Sequence, residues 1–200
     1  DTVLGSVIAF AGSYLFLPSW EYRQLNSFMR EVLIANYNYL SVVANGLLGK
    51  PKDITAYKLV RKDVYVSTAN IGAAFQRMLS EPKSKQRNIN EVHKFVVLNH
   101  ILSSYIPTLV FSLHHTEAIS IQMDQIKLIR KSLYALSDVI HQLDKGDFPE
   151  FKEAEITITE DLKSQLTHEQ TYEAGLLTEQ LKFVNNLTED IQKISEKILK

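Results

Sequence analysis

From Val3 to Leu17 the chain is apolar, and no charge occurs between Thr2 and Trp20. Beyond Pro18 the pattern changes: apolar residues recur every three or four positions, the spacing that gathers them on one face of an α-helix. Leu25, Phe28, Val32, Leu40, Val43 and Leu47 predict a helix from Trp20 to about Leu48, capped by Ser19 and ended by Gly49 and Pro51. Asp53 opens a second helix, carried by Val60, Val64, Ile71, Phe75 and Met78 and stopped at Glu81-Pro82. A third spans about 90–113, with Asn88 or Asn90 as cap and Pro107 predicting a kink or break one turn earlier. A fourth runs from about Glu117 to Lys145 on Met123, Ile126, Leu133, Leu136, Ile140 and Leu143. Thr167-His-Glu-Gln170 reads as a capping box for the last helix. Its stripe is Leu177, Leu181, Val184, Leu187, Ile191, Ile194 and Ile198. Residues 147–161, six acids and one lysine, read as a solvated loop in which ITIT could form only an unpartnered extended piece. About five long amphipathic helices with short connections predict an all-α antiparallel bundle, preceded by one apolar helix.

Composition agrees with long helices and narrows the chemistry. Glycine (7) and proline (5) are scarce among 200 residues, and there is no cysteine, which removes disulfides, thiol catalysis and zinc–thiolate sites. The net charge of −1 divides unevenly: residues 1–100 hold 12 basic against 7 acidic side chains, residues 101–200 hold 10 against 16. Neither half has the basic density of a nucleic-acid binder.

The opening run has no basic stretch before it and begins at Asp1, which is not the layout of a cleavable signal peptide. Gly5, Ala9 and Ser13 stand four apart with Gly12 beside them, a spacing that lets membrane helices approach closely. Trp20 falls where an interfacial aromatic belongs, and Arg23 supplies flanking positive charge. Nineteen uncharged residues meet the lower limit for crossing roughly 30 Å of hydrocarbon. Residues 1–18 are thus read as the end of a transmembrane helix, and 19–200 as the bundle. The competing reading buries the first segment in the core of a wholly soluble interaction module.

Candidate chemistry is sparse. A di-metal carboxylate site in a bundle needs Glu-x-x-His pairs, and none occurs; Asp138-x-x-His141 is the nearest approach. Adjacent His114 and His115, near Glu117, point about 100° apart and suit a solvated helix end. His100, in an apolar run beside Asn99, Ser103 and Ser104, is expected to satisfy a core hydrogen bond. No phosphate loop, dinucleotide fingerprint, nucleophile elbow or His-Glu-x-x-His is present. The expectation is therefore no enzyme, no metal and no cofactor. Lys83, Lys85 and Arg87 form a basic loop suited to anionic lipid headgroups, or simply to water.

The stretch from Tyr57 to Leu109 carries a resemblance. Arg61-Lys62 with Ala69-Asn70, Phe75-Gln-Arg-Met78, Ser80-Glu-Pro82, Val97-Leu-Asn-His100 and Leu102-Ser-Ser-Tyr105 follow one another in the order found in YccS/YhfK-type bacterial inner-membrane proteins of the fusaric-acid-resistance-like (FUSC) superfamily. DTVLGSVIAF followed by LFLPSWE also resembles that family's last transmembrane helix leading into its cytosolic region. The resemblance implies the C-terminal cytosolic domain of a transporter-like, efflux-type protein of the bacterial inner membrane, with residues 19–200 on the cytoplasmic side. Its implied partners are the lipid bilayer through residues 1–18, an upstream transmembrane domain and further copies of itself, but not nucleic acid. Superfamily relatives are associated with export of aromatic acids; none of the matching motifs is catalytic, and no functional residue carries over.

Overall fold

A computed structural model describes residues 2–16, 21–51, 53–84, 86–112, 121–144, 151–154 and 172–200. It is all-helical: α1 (Thr2–Phe16), α2 (Glu21–Leu47), α3 (Ile54–Ser80), α4 (Ile89–Ser112), α5 (Met123–Leu143) and α6 (Tyr172–Leu199). Helix ends follow local chemistry. Gly49, at φ 77°, closes α2 in the left-handed conformation that glycine adopts without penalty. Lys50 N–H then donates to Asn45 O and Gly49 N–H to Gly46 O, satisfying carbonyls that the helix leaves open. The Asp53 carboxylate accepts from Thr55 and Ala56 N–H at 2.9 Å each and starts α3. Asn88 holds φ 49° before α4, but its side-chain amide reaches across to donate to Ile198 O at the end of α6.

The stripes become the core. Leu25, Val32, Leu40, Val43 and Leu47 of α2, Val64, Ile71, Phe75 and Met78 of α3, and all seven predicted residues of α6 are buried in one cluster. Helices α2, α5, α6 and α4 pack in a closed ring, and α3 lies against α2 and α4 from outside. Polar groups inside are mostly paired. Asn36 Nδ2 donates to Asn99 Oδ1 at 3.0 Å between α2 and α4, and Asn99 Nδ2 to Phe95 O at 2.9 Å. Buried Gln125 accepts from Gln122 N–H and donates to Thr178 Oγ1, joining α5 to α6.

Contacts fix the direction of each helix. Tyr39 of α2 meets Tyr57 of α3, and Asn88 before α4 meets Ile198 of α6, so both pairs run antiparallel. Gln125 meets Thr178 and Asp138 meets Gln192, so α5 and α6 run parallel. Parallel neighbours require the chain between them to return along the bundle, about 31 Å for the 21 residues of α5. Part of that return is seen: Phe151 is buried with its ring edge-on to Tyr37 at 4.9 Å, and Ala154 N–H donates to the Tyr37 hydroxyl at 3.0 Å. The Glu153 carboxylate takes hydrogen bonds from Ser137 Oγ and from His141 Nε2, the latter at 3.2 Å.

Four expectations change. Of the stretch expected to be solvated, only 151–154 are described: Phe151 is buried and anchors it on α2, while Lys152 and Glu153 stay exposed. Helix α5 begins at Met123, not near Glu117, since the Gln125 side chain caps Gln122 N–H; Met123 is consequently exposed. Helix α4 continues through Pro107, so of the expected kink or break the break does not occur. His100 is exposed and its neighbour Asn99 takes the buried position. Ser19, His114, His115, Glu117, the ITIT run and the Thr167–Gln170 box lie outside the described residues.

Candidate functional site

Helix α1 stands apart chemically. Val3, Leu4, Val7, Ile8 and Phe10 are each at least 60% exposed, and α1 packs against no other described helix. Burial in the bundle core, the alternative reading of the opening segment, is therefore not what the fold shows. Gly5 and Ala9 are exposed and Gly12 half-buried; space around Gly5 and Gly12 is open on the side where a Cβ would project. Ser13 falls in the last turn of α1. At 15 residues α1 spans about 22 Å, and no helix among the described residues is long and apolar enough to cross a membrane.

The other predicted positions gather near where α1 meets the bundle. Five chain steps, at most about 18 Å, separate Phe16 from Glu21, and Arg23 lies in the first turn of α2. Because α3 runs antiparallel to α2, its C-terminal end and the following loop return to that same end, with Lys83 and Arg87 exposed. Trp20 and Lys85 lie outside the described residues.

At the opposite end a cleft of about 510 Å³ opens between the α2–α3 turn and α4. Val42, Val43, Ile54 and Val110 form apolar wall, while Lys50, Lys58 and Arg61 bring positive charge. Tyr57 also lines it, its hydroxyl 3.1 Å from that of buried Tyr39. Burial, then the shared hydrogen bond with Tyr57, pushes the Tyr39 phenol well above its ordinary range, so it stays neutral. Arg61 donates to the Tyr65 hydroxyl and lies over that ring, contacts that raise its pKa further. Cations beside an apolar wall are a binding chemistry; no described nucleophile there is paired with a base. Of the polar residues here the sequence pattern singles out Arg61 and, at the start of the resembling stretch, Tyr57, while Val43 stands in the α2 stripe. A basic residue one turn after Tyr57, which is half-buried, was the available signal for the rest.

The metal constellation does not assemble. Asp138 accepts from Gln142 and Gln192, whereas His141 turns to Glu153, so the i,i+3 pair points to different partners. No group of three or more His, Asp or Glu able to hold an ion occurs among the described residues.

The molecule is an all-α bundle carrying an exposed apolar N-terminal helix. Over 109 residues, 54% of its length, it is 28% identical to the inner membrane protein YccS of Escherichia coli (strain K12). That match covers 15% of the YccS chain. No family model matches, and no solved structure is similar.

Proposed function

We propose that the chain is the C-terminal cytosolic helical domain, with its membrane-leading helix, of a bacterial inner-membrane transporter-like protein. The observation that carries this reading is α1: a helix with exposed valine, leucine and isoleucine side chains, Val3, Leu4, Val7 and Ile8, that packs against no other described helix. Apolar surface of that extent needs another partner, and the similarity to an inner membrane protein makes lipid and neighbouring membrane helices the natural one. The bundle's work in this reading is oligomerisation or regulation of the membrane part, consistent with a cleft suited to binding. Membrane fractionation tests it: the protein expressed in its host should sediment with inner membranes and resist carbonate extraction. A protease added to inverted vesicles should digest residues 19–200, while right-side-out vesicles should protect them. Recovery in the soluble fraction, or digestion from the outer side, would sink the proposal.

A further inference from the structure

We infer that the end of the bundle carrying the α3–α4 loop and the C-terminus of α6 is a docking surface for anionic phospholipid headgroups. The inference rests on the reading of α1 as a membrane-leading helix, and adds to it a second, electrostatic attachment.

Three elements distant in sequence converge here. The antiparallel run of α3 brings Lys83 and Arg87 back beside the start of α2, within reach of the end of α1. The Asn88–Ile198 hydrogen bond sets the end of α6, with exposed Lys197 and Lys200, against the start of α4, with exposed Lys94. Charge on these segments is one-sided. Residues 77–94 hold five bases against two acids, and residues 193–200 hold three against one. Acids reach this end too, through Asp144 after α5, which is paired with Arg30, and through Glu153, which bonds His141 in the last turn of α5. A bundle hung from a membrane by α1 would turn this end to the lipid. Lys58 and Arg61, two of the basic residues of the far cleft, stand roughly 30 Å away along α3. Screening confines a surface charge to about 8 Å at physiological salt, so only the near end can feel the headgroups.

A basic side chain near an anionic bilayer strengthens binding about fivefold. The full 200-residue chain would be titrated with phosphatidylcholine vesicles and with vesicles containing one-third phosphatidylglycerol, following its single tryptophan, Trp20, and flotation. Binding to the anionic vesicles should be at least tenfold tighter, a gain removed by 0.5 M salt at an effective Debye length of about 4 Å. Lys83→Glu/Lys197→Glu/Lys200→Glu should lose that gain, keep its helical circular dichroism and bind phosphatidylcholine unchanged. Lys58→Glu/Lys62→Glu/Lys127→Glu, with the same net charge but the reversals elsewhere, should keep most of the gain. No gain in the parent chain, or equal losses in the two variants, would overturn the inference. Failure to bind phosphatidylcholine would instead count against the membrane reading of α1, while the anionic gain would still report on the basic end.

Discussion

Replacing Asp144 by Asn would take from Arg30 an ion-pair partner at a largely buried place. The two side chains are 8% and 17% exposed and meet at 2.5 Å, tying the first third of α2 to the end of α5. Losing one partner of a buried pair costs about 3–5 kcal/mol, and the partial exposure of Asp144 lowers that to roughly 2–3 kcal/mol. Chemical denaturation of Asp144→Asn should show it. Lys182→Ala, which breaks an exposed pair with Glu179, should move stability by less than about 0.5 kcal/mol. Glu153 supplies a pH-dependent counterpart. Its carboxyl is held below the ordinary range by the Ser137 hydrogen bond first and the His141 bond second. A depressed folded-state pKa means the stabilisation is full above the ordinary carboxylate value and fades as pH falls through the folded one. Between pH 5 and 3 the parent should therefore lose more stability than Glu153→Gln. The difference should stay below about 1 kcal/mol, because Glu153 is more than half exposed.

At the scale of elements, the amphipathic stripes were legible because only a helix gathers apolar residues onto one face when they recur with its period six or seven times over. The α6 stripe is buried throughout, and the start of α3 was readable from Asp53 alone. What escaped depended on contacts distant in sequence. Nothing local distinguishes His100 from Asn99; Asn36, 63 positions away, decides which of them is buried. The parallel course of α5 and α6 and the docking of Phe151 on Tyr37 are likewise products of assembly, as is the cleft, whose walls come from α2, α3 and α4. For α1 the periodicity says which face is small but not what it touches. In lipid, close contact between helices depends on small side chains, so Gly5→Leu or Ala9→Leu should disrupt assembly of the intact membrane protein, read by native electrophoresis after detergent extraction. Ile8→Leu should be nearly silent. Unchanged assembly with Gly5→Leu and Ala9→Leu would show that this face is not an interface.

Viewed as a whole, the molecule keeps its described core apart from the uncharged N-terminal run. Among the described residues, the buried cluster lies between Leu25 and Ile198, and none of residues 2–12 of α1 belongs to it. The ring of α2, α5, α6 and α4 is closed by its own side chains, and α3 packs on it without help from the N-terminus. Its thermal stability should then be independent of residues 1–18. A chain starting at Ser19 should remain helical by circular dichroism and melt within about 2 °C of the bundle in the full protein. A shift of that size corresponds to about 0.5–1 kcal/mol in a domain of this length. The two chains should differ in association, because removing α1 removes the exposed Val3, Leu4, Val7, Ile8 and Phe10. Without detergent the shorter chain should run as a discrete species on size exclusion, whereas the full chain should aggregate or bind micelles. If the shorter chain unfolded instead, α1 would belong to the core after all, and the membrane reading would lose the surface on which it stands.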